Sequence, residues 1–226
     1  MYLVGSGQDG TLEKIAARAL AETGKALPRV AITYAPIADN PEELRVMKRL
    51  AADVFKGGAV EHFALEGEAE AMDPGRARAV VERADLVFVA GGDPVLGAKI
   101  LRAAGADAWL RAAHARGASM LGVSAGSIML GAWWATWPDE DVERPRPLDE
   151  FANGTLVACT SVIDDLVIDC HDEASDWEEL RLVKKMCDAK RIADRVRFIG
   201  IPTGGTVVVD PSGAHEIVGK EPLHLT

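Results

Sequence analysis

The stretch GVSAG at residues 122–126 places a serine in the setting that hydrolases use for a nucleophile. Ser124 follows the apolar run ASMLGV and precedes the helix-like segment AGSIMLGAWW. In such a strand-turn-helix the hydroxyl points out of the sheet, and the backbone N–H of Ala125 faces incoming negative charge. The pattern is moderately specific, because a serine that caps the following helix would fit the same sequence. Ser124 is therefore a candidate nucleophile that needs a base, an orienting group and oxyanion donors.

The sequence contains five histidines that could serve as the base. His171 ends the apolar run LVID, where a strand of a parallel sheet would deliver it to the edge that also carries Ser124. The alternative for His171 is a histidine that caps the following helix. The others lie in an early strand, in a surface helix, after a turn or near residue 226: His62, His114, His215 and His224. His171 is the preferred base.

Short apolar runs alternate with helix-type segments through the first 135 residues. Strands are predicted at 2–5, 29–36, 59–65, 85–94 and 118–124, and helices at 10–24, 39–58, 73–84, 95–105, 106–117 and 125–134. Continuous apolar strands separated by helices are typical of a mostly parallel sheet with helices on both faces. The sequence therefore predicts a doubly wound α/β fold with a nucleophile elbow between strand and helix. Its site should lie at the carboxyl ends of the strands, where VGSGQDG, VAGGDP and GVSAG form glycine-bearing loops.

The alternation of apolar runs and helix-type segments stops after residue 136, since residues 137–154 are rich in proline and acidic residues. This stretch is predicted to be a long excursion near the site. One or two strands are predicted within 155–171, then a helix over 175–195, and the chain continues with further strands in RFIGI, GTVVV and HEIVG.

Composition narrows the class of protein. The chain has 226 residues, 48% hydrophobic and 27% charged, so a single domain over residues 1–226 is the economical expectation. No long apolar run or basic leader is seen, which predicts a cytoplasmic protein without membrane contact. The net charge of −10 opposes binding to nucleic acid. Three cysteines without CxxC spacing predict neither disulfides nor a metal site, and no cofactor is expected.

Four segments together resemble the dipeptidase E and cyanophycinase group of serine peptidases. They are VAGGDP at 89–94, GVSAGS at 122–127, His171 after its apolar strand, and GIP at 200–202. The resemblance runs from about residue 1 to residue 210. It implies a fold similar to that of class I glutamine amidotransferases.

The resemblance also implies roles for particular residues. Ser124 falls on the family's nucleophile and His171 on its base, while the N–H groups of Gly92 and Ala125 fall on the oxyanion donors. Dipeptidase E hydrolyses dipeptides that begin with aspartate, and cyanophycinase cleaves aspartyl-arginine units. We therefore expect the substrate to be a small peptide that is hydrolysed through an acyl-enzyme. The sequence does not fix the oligomeric state, and a homodimer is compatible with it.

The acid that would orient His171 is where this chain departs from the family. One partner proposed for the family is a glutamate after the long helix, but here that segment reads GIPTGG and Thr203 stands in its place. Threonine can accept a hydrogen bond from an imidazole but cannot stabilise an imidazolium by charge. The other partner is an aspartate fifteen residues after the serine, which reaches Asp139 in an acidic loop. Asp169, Asp172 and Glu173 are lesser candidates.

The residues expected to recognise the substrate also differ from those of the family. The segment HDEASDWEELR stands where many relatives have an aromatic residue and arginines after the histidine. An aspartyl substrate needs a cation near the pocket, which Arg181, Lys184 or Lys185 could supply. Asp93 and Thr203 are expected to contact the substrate. Three tryptophans could line an aromatic pocket or pack in the core: Trp133, Trp134 and Trp137.

Three alternatives remain open. A weak or inactive relative could use the same pocket to bind a small peptide-like or amino-acid ligand, which Thr203 motivates. An α/β-hydrolase esterase would share GxSxG but take its acid and base from Asp210 and His224. A nucleotide-binding loop at Gly5, Gly7 and Gly10 is the weakest, because no acidic residue closes the next strand.

Overall fold

The structure is a computed structural model that describes residues 1–7, 10–38, 40–68, 70–136, 154–210 and 215–225. The strands of these residues are β1 Tyr2–Val4, β2 Arg29–Thr33, β3 Ala59–His62, β4 Leu86–Val89, β5 Ser119–Val123, β6 Trp133–Thr136, β7 Thr155–Ala158, β8 Leu166–Cys170, β9 Arg197–Ile201, β10 Gly205–Val209, β11 His215–Gly219 and β12 Leu223–Leu225. The α-helices are α1 Thr11–Glu22, α2 Pro41–Val54, α3 Pro74–Arg83, α4 Pro94–Ala103, α5 Ala106–Ala115, α6 Ala125–Leu130 and α7 Glu178–Ala189.

The central sheet has seven strands in the order β11-β10-β1-β5-β4-β2-β3. The five strands from β1 to β3 run parallel, and β10 and β11 extend the sheet antiparallel beside β1. Since the parallel strands end at one edge, the loops after β4 and β5 are neighbours there.

Side chains alternate between the two faces of this sheet, as a pleated strand requires. Tyr2 and Val4 of β1 join an apolar cluster with α1 and α2, whereas Leu3 points to the opposite cluster. That second cluster contains buried residues of α3 to α7. Helices therefore cover both faces, and the predicted doubly wound fold is confirmed.

Two smaller sheets differ from the sequence prediction. β8 lies in a three-stranded sheet ordered β12-β9-β8, so the strand that carries His171 is not part of the central sheet. The helix predicted over 125–134 ends at Leu130, because Trp133–Thr136 instead pair antiparallel with Thr155–Ala158. This pairing joins segments distant in sequence, so a local pattern could not reveal it. Among the helices described, none has the length and apolar character needed to cross a membrane.

Candidate active site

Ser124 occupies a strained turn between β5 and α6. Its backbone has φ 52° and ψ −124°, a conformation that costs free energy for a residue with a side chain. Its N–H donates to the carbonyl of Val4 at 2.9 Å, which fixes the turn to strand β1 of the central sheet. A Cβ added to Gly126 would lie 2.0 Å from the carbonyl oxygen of Val89, so only glycine permits this close approach. The Ser124 side chain makes no capping hydrogen bond with α6 and is free to act elsewhere.

His171 lies directly opposite this serine. Its Nε2 is 2.8 Å from Oγ of Ser124, within hydrogen-bond distance, although the two residues lie 47 positions apart. The backbone of His171 has φ 50°, and its N–H donates to the carbonyl of Ile201 at 2.9 Å. The end of β9 therefore holds the histidine after its own strand β8 has ended. Among the described residues, no hydrogen-bond acceptor is paired with Nδ1 of His171.

Gly92 brings the loop after β4 close to the serine. Its φ is +134°, which only glycine adopts readily, and a Cβ there would lie 2.4 Å from the carbonyl oxygen of Pro36. No described residue accepts a hydrogen bond from the Gly92 N–H. Ala125 is the first residue of α6, where an N–H has no partner within the helix. Gly92, Ser124 and Ala125 line the same cavity, so the two N–H groups are candidates for oxyanion donors.

The expected acids are arranged differently. Asp139 lies outside the described residues. Thr203 uses its N–H to donate to Oε1 of Glu173 at 3.1 Å. Burial alone would raise the pKa of Glu173, but hydrogen bonds from its own backbone and from Thr203 outweigh burial and hold this pKa below its ordinary value. Asp169 is different, since burial raises its pKa well above the ordinary range, with a further rise from the charges of Asp172 and Glu179.

Two cavities meet at Gly92, Ser124 and His171. The larger one, about 630 Å³, is called the acidic cavity here. Its lining includes Asp93, Lys99, Trp134, Asp169, Asp172 and Glu179. The smaller one, about 320 Å³, is called the apolar cavity, and its lining includes Leu12, Met47, Leu50, Val54, Phe55 and Phe88. A bound peptide could therefore extend to both sides of the serine.

Several predicted site residues have other roles in the structure. Asp93 borders the acidic cavity, but its Oδ1 caps α4 by accepting from the N–H groups of Val95 and Leu96 at 2.7 and 3.1 Å. Thr203 lines neither cavity. Trp134 lines the acidic cavity, Trp133 packs against the core, and Trp137 lies outside the described residues.

The cations expected to grip an aspartyl side chain lie elsewhere. Arg181 pairs with Asp176 at 3.3 Å and Lys184 with Asp188 at 3.2 Å, and neither lines a cavity next to Ser124. Lys185 is exposed and likewise absent from both linings. Asp210 and His224 border two other cavities, so the structure does not bring the esterase alternative's acid and base to the serine.

Comparisons with known proteins identify the family of this chain. The sequence model of Peptidase family S51 matches residues 1–157. The chain belongs to peptidase family S51. This is a family of serine peptidases, so the protein is a hydrolase of that type, and the resemblance seen in the sequence is confirmed.

Two solved structures share the fold of this S51 peptidase. A peptidase from an acI-B1 Actinobacterium has 16% identity and a TM-score of 0.69, with 100% of this chain and 93% of that one covered. A putative peptidase E protein from Listeria monocytogenes EGD-e has 15% identity and a TM-score of 0.59, with 100% and 98% covered. At this identity the likeness concerns the fold. No curated protein sequence gives a match to this chain.

The sequence of this peptidase does not reveal the negative charge of the acidic cavity. The sequence offers Asp169 only as a partner for His171, and no pattern in it singles out Lys99 or Glu179. The alternate positions of Asp169 and His171 in the sequence do indicate that the two side chains lie on the same face of their strand. The contributions of Lys99 from α4 and Glu179 from α7 depend on how those helices pack, which no local pattern encodes.

Proposed function

We propose that this peptidase hydrolyses short peptides with Ser124 as nucleophile and His171 as base. The observation that carries the proposal is the distance of 2.8 Å between Ser124 Oγ and His171 Nε2. A serine hydroxyl attacks a peptide carbonyl efficiently only when such a base takes its proton. The paired cavities on either side of the serine provide room for the two halves of a peptide.

The reaction follows from these positions. Ser124 Oγ attacks the carbonyl carbon as Nε2 of His171 takes its proton, which requires the tautomer with hydrogen on Nδ1. The N–H groups of Gly92 and Ala125 donate to the oxyanion of the tetrahedral intermediate. His171 then protonates the leaving amine, the C–N bond breaks, and an acyl-enzyme remains on Ser124. Water, deprotonated by His171, attacks the acyl carbon, the ester C–O bond to Ser124 breaks, and His171 returns the proton to Ser124 Oγ as the acid leaves.

Asp139 remains the proposed group for orienting the imidazole. The preference for aspartyl dipeptides also remains a prediction from the resemblance.

The alternative is a relative that binds peptides without hydrolysing them. It is favoured by Thr203 in the place of the family glutamate, and by the absence of an acceptor at His171 Nδ1 among the described residues. Reaction with a fluorophosphonate separates the two proposals, because only an activated serine is labelled.

We expect a fluorophosphonate to label the unmodified protein and to leave Ser124→Ala unlabelled. Hydrolysis of a panel of dipeptides should fall at least about a thousandfold in Ser124→Ala and in His171→Ala, since nucleophile and base act as a unit. Ser119→Ala, at the far end of the same strand, is the matched control and should keep label and activity. Labelling that survives in Ser124→Ala would remove the assignment.

A further inference from the structure

The acidic cavity contains two buried carboxylate oxygens without a partner. Asp169 is 2% exposed, and its Oδ1 accepts from the N–H of Cys170 at 2.7 Å. Its Oδ2 has no partner at hydrogen-bond distance among the described residues, although the nearby N–H of Leu180 lowers the pKa of this carboxyl, and Oδ2 of Asp172 likewise has no partner. Buried polar atoms are rarely left unpaired, because each costs free energy of desolvation. Both residues line the cavity next to Ser124, so a cation bound there lies beside both carboxyl groups.

The charge balance of the cavity is negative. Among the described lining residues, Asp169, Asp172 and Glu179 face a single lysine, Lys99. Asp93 is a fourth acid, already engaged as the cap of α4. The three carboxylates come from β8, from the loop after it and from the first turn of α7, so three separate segments bring like charges together.

The accumulation of negative charge in the acidic cavity is unfavourable, and a bound cation would reduce the repulsion. Burial raises the pKa of Asp169 well above its ordinary value, and the nearby charges of Asp172 and Glu179 raise it further. The empty cavity thus disfavours the ionised carboxyl. A bound cation would favour ionisation and donate to the unpaired oxygens, whereas a carboxylate would add a further negative charge.

We propose that the acidic cavity binds an ammonium group of the peptide substrate. The proposal rests on the proposed function, because the cavity opens onto Ser124. An ammonium group has three donors, which suits the unpaired oxygens of Asp169 and Asp172 with Glu179 beside them. The group could be the α-ammonium of the peptide or the side chain of a lysine, and the two sources share this chemistry.

Calorimetric titration of Ser124→Ala tests the proposal without turnover. Four probes are compared: Lys-Leu, norleucyl-Leu, and the N-acetyl forms of both. We expect probes with the relevant ammonium group to bind about tenfold or more tightly than acetyl-norleucyl-Leu, as charge-assisted hydrogen bonds to buried carboxylates would give. If the α-ammonium enters the cavity, acetylation of norleucyl-Leu weakens binding. If the lysine side chain enters, acetyl-Lys-Leu retains the advantage.

Variants test whether the tighter binding of the ammonium-bearing probe depends on the acidic cavity. Glu179→Gln in the Ser124→Ala background should reduce the advantage of the ammonium-bearing probe, and Asp169→Asn should do so if it folds. Glu178→Gln is the matched control, since Glu178 also lies in the first turn of α7 but does not line the cavity. The control should keep the advantage, which separates the cavity from a general charge effect at the helix start.

Two results would overturn the proposal: equal binding of all four probes, or no measurable binding of the three that carry ammonium groups. Either outcome leaves the peptidase assignment intact if a fluorophosphonate still labels Ser124 in the unmodified protein. Failure of that labelling would remove the proposed function, even where ammonium binding is observed.

Discussion

At the scale of single residues, the candidate site is built on backbone that few residues tolerate. Ser124 and His171 both have positive φ, and Gly92 has φ +134°. Such conformations cost on the order of 1 kcal/mol or more for residues with a side chain. Hydrogen bonds to Val4 and Ile201 hold the two strained residues in place. The strain is thus offset by the sheet ends rather than by the turn itself.

Gly92→Ala tests the oxyanion donor. The added methyl would lie 2.4 Å from the Pro36 carbonyl oxygen, so the loop must move and its N–H with it. We expect kcat/KM for a dipeptide to fall about a hundredfold, as loss of one oxyanion donor typically gives. Gly105→Ala is the control, because Gly105 has φ +71° but open space around it. It should cost about 1 to 2 kcal/mol of stability and leave kcat/KM unchanged. Full activity in a folded Gly92→Ala protein would contradict the role of that N–H.

At the scale of elements, the beginning of α7 shows why part of the site could not be predicted. The sequence predicts a helix over 175–195, yet the helix begins at Glu178 after two residues in the left-handed region, Asp176 and Trp177. Trp177 adopts this conformation while its ring packs on Gly200 of β9, and this contact between distant segments overrides local preference. The direction of α7, and so the place of Glu179, follows from that contact. Ser124 and His171, in contrast, could be predicted because each directly follows an apolar strand.

Gly200→Ala should disturb this packing. Its Cβ would lie 2.5 Å from the Trp177 ring, which forces the ring or the strand to shift. We expect a loss of about 1 to 3 kcal/mol of unfolding free energy, measured by urea denaturation with tryptophan fluorescence. Gly57→Ala is the matched control, since its Cβ would meet only Leu20 Cδ1 at 3.7 Å. Equal stability of the two variants would mean that the Trp177 contact does not constrain α7.

At the scale of the whole molecule, the central sheet could be predicted in outline, because five parallel strands alternate with helices in a simple rhythm. The antiparallel strands and the two small sheets could not, since they depend on pairing between distant segments. Buried carboxylates add a property of the whole fold, the dependence of its stability on pH. Burial raises the pKa of Glu68 from an ordinary 4.5 to about 7, although the N–H of Leu65 donates to its Oε1.

This shift predicts the sign of a pH effect. Between about pH 4.5 and pH 7 the folded protein keeps the Glu68 proton while the unfolded chain has lost it, so the contribution of Glu68 to stability falls as pH rises. Glu68→Gln should therefore gain stability relative to the unmodified protein on going from pH 5 to pH 8, measured by urea unfolding at both values. Glu66→Gln, exposed on the same loop, is the control and should show no such gain. A constant difference between Glu68→Gln and the unmodified protein at both pH values would argue against the shift.

The carbonyl of Val4 accepts from the N–H of Ser124 and from the hydroxyl of Ser127, which lies 123 positions away in sequence. His171 is in turn tied to Ile201, beyond the region 1–157 that matches the family. No short contiguous piece of the chain therefore contains both Ser124 and the strands that hold the site. Splitting the chain between Ser124 and His171 would leave the first fragment with the proposed oxyanion donors and without the proposed base. Any transplant of this site to another scaffold would have to include strands of two sheets, β1 and β5 from one and β8 and β9 from the other.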